Sequence, residues 1–408
     1  MVNDEGYSQL ELMQARVKFV PEGWGFGYVG KIFNIKNNLR KPISEEERKN
    51  NPGSYPYYGP TKVQGYIGTF EQDGSYALIG EDGDHFLKYK VQSMTQLVDG
   101  KCTVNNHAHI IEGTKKATRE WFYYYFMHRD IFSFLSRQGA GRYKLNKASL
   151  EKIPLLIPPV EEQEKIAKIL TTWDKAISKA EQLLANSQKQ KKALMQKLLT
   201  GKERLHDKNG VRFGGEWKWL KASELFRTVS KKNNSDNEEL LAVTQDQGVL
   251  PRSFLERRVV MPDGSTNGYK LVVPGNFVIS LRSFQGGLEY SKFRGVVSPA
   301  YTVLEPIKKI EDEFYKQYYK SHEFIGHLAV AVIGIRDGKQ ISYGDFSFLK
   351  IPYPSLEEQQ KIAAVLSSSD QDLNALKKMV NALRQEKKAL AQQLLSGKRR
   401  VCIEDVVC

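Results

Sequence analysis

The chain has 408 residues, 61 Lys+Arg against 47 Asp+Glu, and a formal charge of +14, which at roughly 100–200 residues per domain gives two or three domains able to bury their own cores and makes polyanions the leading partner class. An apolar share of 40% with 26% charged residues excludes wholesale disorder, and apolar runs of only a few residues predict no membrane-spanning helix. Met1-Val2-Asn3-Asp4-Glu5 has no signal-peptide pattern, and three cysteines (Cys102, Cys402, Cys408) exclude a disulfide scaffold and fit a reducing cytoplasm.

Residues 1–157 read as a first globular domain. Short β-like runs at 63–67, 76–79 and 108–111 are broken by turn signals such as Asp73-Gly74 and Asp82-Gly83, and an aromatic-rich helix is predicted over about 119–136. Residues 158–205 then read as one long helix. Ile166, Leu170, Trp173, Ile177, Ala180, Leu184, Ser187, Lys191, Leu194 and Leu198 alternate at spacings of four and three, a heptad seam. Pro158-Pro159 punctuate its start, and Gly201 sits where a left-handed cap is expected.

The pattern then repeats. Residues 206–353 read as a second domain, with β-like runs at 270–273, 276–280 and 301–304 and an aromatic helix over about 312–331. Residues 354–408 hold a second long helix and a tail, with the seam Ile362, Leu366, Ser369, Leu373, Leu376, Val380, Leu383, Lys387, Leu390 and Leu394. Ser355-Leu356-Glu357-Glu358 has capping-box spacing, and Gly397 repeats the helix stop. Residues 161–202 and 357–398 share 17 of 42 positions at an offset of 196. Around Trp24/Trp217 and Trp121/Phe314 the offset is 193, so whole domains are duplicated. The basic excess is also shared, +8 over residues 1–205 and +6 over 206–408.

About 39 residues of helix make a rod of ~58 Å, which cannot bury its apolar stripe alone. The expected fold is α+β: two tandem domains separated by a long intramolecular antiparallel two-helix coiled coil, with pseudo-two-fold symmetry. Lys191 and Lys387 interrupt the seams at equivalent places, either snorkelling to solvent or helping to set register.

Four segments combine basic, amide and aromatic side chains with loop character. They nominate Tyr57, Tyr58 and Lys62; Arg137, Gln138, Arg142, Tyr143 and Lys144; Arg282, Ser283 and Gln285; and Arg336, Lys339 and Gln340 as DNA-contacting residues. Arg reads guanine bidentately, Asn and Gln read adenine, and Lys and Arg hold phosphate. A solvated basic surface is the plainer alternative for any one of these loops.

Other signals are set aside. Gly25-Phe26-Gly27-Tyr28-Val29-Gly30 fits a dinucleotide pattern but follows no strand. His107 and His109 have only Cys102 nearby as a third metal ligand. Glu161-Glu162 and Glu357-Glu358 sit in first helical turns, where the helix dipole favours them. No catalytic residues or metal ligands are proposed.

The two Glu-Glu-Gln helix starts after proline (157–167 and 354–363), the Lys-Lys-Ala-Leu stretches leading to Leu-Leu-Thr-Gly and Leu-Leu-Ser-Gly, and the segments 210–217, 276–287 and 297–301 resemble the specificity subunit of type I restriction–modification enzymes. The resemblance implies two target-recognition domains that each read one half of a bipartite site in double-stranded DNA. It implies that the helix pair sets the spacing and docks two modification (adenine methyltransferase) subunits through seam positions such as Ile166, Leu170, Trp173, Ile362 and Leu366, and thereby restriction subunits. The chain is then a non-catalytic subunit that binds no cofactor itself, with S-adenosylmethionine, ATP and Mg2+ on partner subunits. The rival from another class is a coiled-coil scaffold without nucleic-acid binding; a second is a DNA-modifying enzyme with its own active site.

Overall fold

The structure, a computed structural model, describes residues 7–138, 142–232, 238–255, 266–280, 283–331 and 341–402. It falls into two compact units, residues 1–179 with 380–408, and residues 180–379. The division cuts both long helices, Val160–Leu198 and Leu356–Leu394, each 39 residues. Each unit therefore contains one globular domain, the start of the helix that follows it, and the end of the other helix.

In the first unit, Gly25–Tyr28 pairs antiparallel with Pro154–Ile157, closing the domain at the root of the first long helix. A six-stranded sheet runs in the order Asn34–Ile35, Ala108–Glu112, Gln72–Gly80, Thr95–Val104, Pro52–Tyr58 and Val63–Ile67. Its pairs are antiparallel except that between Pro52–Tyr58 and Thr95–Val104. The ten-residue strand Thr95–Val104, which the sequence did not announce, pairs with Gln72–Gly80 along nearly its whole length. That pairing holds Asp73-Gly74 extended, so the turn expected there does not form. The glycine-rich Gly25–Tyr28 is likewise extended, with no dinucleotide turn.

The aromatic helix is shorter than expected. It runs Arg119–Phe126, capped by the Thr118 hydroxyl, which accepts from Trp121 N at 3.0 Å. It stops because the following backbone is engaged elsewhere: Met94 N donates to Met127 O, and Asp130 accepts from Phe132 N to begin a new turn at Phe132–Phe134. The expected helix over 312–331 is two, Asp312–Tyr318 and His322–Ala331. The Ser321 hydroxyl accepts from Phe324 N at 3.2 Å, a fresh N-terminal cap that restarts the helix.

The second unit repeats the closure, Lys218–Lys221 pairing antiparallel with Lys350–Tyr353. Its main sheet is smaller, with four strands in the order Phe226–Val229, Thr302–Pro306, Phe277–Ile279 and Glu289–Tyr290. Two further strand pairs flank it. Phe226, Phe277, Tyr315, Tyr319 and Phe346 form the aromatic centre of the core.

Within the first unit, Ile166 and Leu170 from the beginning of one long helix share the core with Leu394 from the end of the other. Within the second, Ile362 and Leu366 share the core with Leu198. Both arrangements are antiparallel. Every seam position is buried or half-buried, Trp173, Ile177, Leu184, Leu194, Leu383 and Leu390 included. Gly201 and Gly397 take φ of +70° and +68°. Each also admits the tryptophan of its own unit: a side chain at Gly201 would meet the Trp217 ring at 3.2 Å, and one at Gly397 would strike the Pro21 ring beside Trp24.

Candidate nucleic-acid interface and its mounting on the helices

The repeated Glu-Glu-Gln turns out to be the root of each domain. Glu162 is buried and accepts from Trp24 Nε1 at 2.9 Å and from both Nε and Nη2 of Arg400 at 2.8 Å. Glu358 is buried in the same way, accepting from Trp217 Nε1 at 3.0 Å and from Arg204 at 2.5 and 2.7 Å. Each guanidinium also lies over its tryptophan ring at 5.6 Å. Arg204 follows the first long helix and Arg400 the second, so each arginine grips the beginning of the other helix. The glutamine completes the joint. Gln163 accepts from Thr118 N and donates to Lys116 O and Pro158 O. Gln359 accepts from Glu311 N and donates to Pro354 O. The helix-dipole reading of Glu162 and Glu358 was therefore incomplete, because these carboxylates are buried and bidentately paired. One signal could have revealed the arginines: extending the repeat two residues beyond 202 aligns Arg204 with Arg400 at the same offset.

The nominated DNA-contacting residues separate by burial. In the first unit, Ser136–Gln138 and Arg142–Lys144 form a hairpin on which Arg137 and Arg142 are exposed. Among the described residues neither has a carboxylate partner; Arg137 lies over the Tyr143 ring at 5.8 Å, and Tyr143 packs on Phe132. Lys144 is turned inward to Glu81 at 3.2 Å. Burial raises the Glu81 carboxyl, but Arg40, His109 and Lys144 outweigh it and hold it below its ordinary range. The side chain of Gln138 lies outside the described residues.

Lys62 is exposed in a shallow cleft that also presents Arg48, Lys49, Gln64 and Tyr66. Tyr66 is 60% exposed, and Lys101 lies over the partly exposed Phe70 ring at 4.8 Å. The sequence reading missed Arg48, Tyr66 and Lys101, because nothing local shows that the strand Val63–Ile67 lies at the sheet edge. Tyr57 is a correction. It is 2% exposed, it belongs to a strand rather than a loop, and its hydroxyl accepts from Ile43 N, so it cannot reach a groove. Tyr58 is half-buried in the same strand, packed against the sheet core.

In the second unit Ser283 is a second correction: it is 1% exposed and its hydroxyl accepts from Ser280 N at 2.8 Å, starting the short turn Ser283–Gly286. Gln285 on that turn is exposed. Lys320 anchors the turn, donating to Gly286 O, Gln245 O and the buried Glu289. Arg282, Arg336, Lys339 and Gln340 lie outside the described residues.

Residues set aside as chemistry are also placed. His109 is buried with both ring nitrogens engaged, one with Leu145 O and one with Asn37, and burial pushes its pKa down. Burial raises the Cys102 thiol to about 11, which keeps it protonated at neutral pH. Among the described residues, no group of three His, Cys, Asp or Glu is arranged to hold a metal ion, and no helix is long and apolar enough to cross a membrane.

The family of the type I restriction modification DNA specificity domain matches this chain twice, over residues 21–186 and 215–383. The chain belongs to this family. A Haemophilus influenzae relative whose name assigns it to the type I restriction enzyme specificity subunits is 38% identical over 141 residues, 34% of either chain. The type I restriction enzyme MjaVIII specificity subunit of Methanocaldococcus jannaschii is 26% identical over 404 residues, 94% of either chain. The crystal structure of a type I restriction–modification system S subunit from M. genitalium shares the fold, with a TM-score of 0.60 and 14% identity over 93% of this chain and 98% of that one. Both specificity domains begin just before the tryptophan of the joint and run into the long helix, so Trp24/Glu162 and Trp217/Glu358 are equivalent parts of the two family domains. As a type I specificity subunit, the chain is the non-catalytic component of its complex, and its two specificity domains are its target-recognition domains.

Proposed function

We propose that the first domain reads one half of a bipartite DNA site and the second domain the other, while the two long helices set the number of unread base pairs between the halves. The observation that carries this is the pair of specificity domains, each mounted by the same tryptophan–glutamate–arginine joint on the root of its own helix. Such mounting makes half-site spacing a geometric quantity. The exposed Arg137, Arg142 and Lys62 supply phosphate or base contacts in the first domain and Gln285 a base contact in the second; a salt-steep affinity is expected.

The helices also serve as the dock for two modification (methyltransferase) subunits, which in turn bring restriction subunits. Leu183 and Met379 support this: they occupy equivalent positions on the two helices and each is 53% exposed, the kind of repeated apolar point that two copies of one partner would cover. In this reading S-adenosylmethionine binds the modification subunits, ATP and Mg2+ bind the restriction subunits, and the complex works in the cytoplasm on chromosomal or invading DNA. The test is co-purification with the methyltransferase subunit, mass measurement of the complex, and sequencing of methylated adenines. A bipartite site with a fixed spacer is expected. Insertion of one heptad after Ser187 should change the spacer and leave both half-site sequences unaltered; an unchanged spacer would count against the helices as its determinant.

A further inference from the structure

Each seam lysine ends on an aspartate that also holds the neighbouring recognition domain. In the first unit, Lys387 on the second helix pairs with Asp174 on the first, and Asp174 accepts from the Tyr124 hydroxyl at 3.0 Å. Tyr124 belongs to the buried aromatic helix of the domain, and Lys387 lies over its ring at 5.6 Å. In the second unit, Lys191 pairs with Asp370 at 2.5 Å, and Asp370 accepts from Gln317 Nε2 at 2.7 Å. Gln317 is the repeat equivalent of Tyr124. One carboxylate thus joins three elements: its own helix, the opposite helix and the domain.

We infer that Asp174 and Asp370 are positioning residues that fix the angle of each recognition domain on the helix pair, so that spacer selectivity depends on these two three-way joints. The inference rests on the proposed bipartite reading. Three observations point to positioning rather than stability. Both carboxylates are 40–41% exposed, so water screens the attraction itself, and a stability loss on removing one comes from the stranded lysine, which is 15% exposed. A leucine at either lysine would bury more apolar surface, and a charged residue inside a heptad seam is a known cost accepted for register. The two pairs use repeat-equivalent residues, Asp174 and Asp370, and Lys191 and Lys387, each separated by the repeat offset of 196. Sliding one helix by a heptad would set Lys191 against Ala363 or Lys377 in place of Asp370.

The experiment compares Asp174→Asn, the double variant Asp174→Asn/Lys387→Met, and the wild type, each as the complex with the modification subunit. Binding is measured on sites with the preferred spacer and with spacers one base pair shorter or longer. Asp174→Asn is expected to lower discrimination between spacers severalfold with little change in affinity for the isolated first half-site. The double variant, free of the stranded lysine, should regain thermal stability but not spacer discrimination. A merely structural role would move stability and discrimination together, and unchanged spacer discrimination in Asp174→Asn overturns the inference. A second measurement needs no DNA. Spin labels at Lys49 and Lys388, in a chain carrying Cys402→Ser and Cys408→Ser, should give a narrow distance distribution that broadens in Asp174→Asn. A distribution that stays narrow also overturns it. If the wild-type complex shows no preferred spacer while the label distances do broaden, the bipartite reading fails and the joint stands.

Discussion

The two halves of the molecule solve one packing problem with different side chains. In the first, Trp121 Nε1 donates to Leu156 O at 2.9 Å, and Leu156 N donates to the Tyr125 hydroxyl at 3.2 Å. In the second, Phe314 stands where Trp121 was and has no side-chain N–H, and Pro352 stands for Leu156 and has no backbone N–H. The Tyr315 hydroxyl, absent from its equivalent Phe122, donates to Pro352 O at 2.8 Å. Tyr318, the equivalent of Tyr125, is left with a buried hydroxyl that has no hydrogen-bond partner among the described residues. The carbonyl is satisfied in both halves, as a buried acceptor must be. By contrast, the joints Trp24–Glu162–Arg400 and Trp217–Glu358–Arg204 are kept residue for residue. Among the described residues the sheets beyond them diverge, six strands against four. The tryptophan–glutamate–arginine joint at the root of each domain is held constant, and what faces outward varies. That is the pattern expected when two readers share a mount and read different sequences.

The largest way to break this comparison is to exchange residues 1–157 for the corresponding domain of a relative. One half-site should change completely and the other not at all, read by methylation mapping; a change in both would refute independent reading. Next come the arginines. Arg204→Ala strands the buried Glu358 and should cost about 3 kcal/mol of stability. Arg400, whose side chain is 45% exposed against 15% for Arg204, should lose less on the same change, about 2 kcal/mol, since water can partly replace it. Chemical denaturation ranks the two, and equal losses would show that exposure does not set the difference. Trp121→Phe should cost about 1–3 kcal/mol by orphaning Leu156 O. Adding Phe122→Tyr and Leu156→Pro, the second half's solution, should recover most of it. Arg142→Ala should weaken the first half-site by about 1–3 kcal/mol if a bidentate base contact is lost, and leave the second half-site untouched. Full retention of binding would remove Arg142 from the interface.

The smallest expected effect belongs to a feature found in the first half alone. The helix Gln9–Gln14 is closed by a capping box in which the Ser8 hydroxyl, followed by the Tyr28 hydroxyl, donates to Glu11 and lowers its carboxyl from 4.5 to about 2. A depressed carboxyl contributes stability that is fully present above its unfolded value and is lost as pH falls through the folded one. The N-terminal segment should therefore loosen between about pH 4.5 and 2, before any comparable change in the second unit, as followed by limited proteolysis with an acid protease. Simultaneous loosening of both units would assign the transition elsewhere.

The duplication, the two 39-residue helices, their seams and their glycine stops were all legible before any coordinates, because heptad spacing and capping are local and an offset of 196 is a matter of counting. The loops were less legible. Composition alone nominated Tyr57 and Ser283 alongside Lys62, Arg137 and Arg142, and it could not tell a side chain turned into the sheet from one turned to solvent. A strand such as Thr95–Val104, with polar and glycine residues along it, is extended only because Gln72–Gly80 lies beside it. The repeat offset aligns the joint arginines, but the sequence could not show what they pair with, for the same reason. Arg400 and Glu162 are 238 residues apart, and no local pattern links them. Their pairing exists only because antiparallel helices bring the end of one to the start of the other, where a buried carboxylate and a half-exposed guanidinium become the fixed point of a domain.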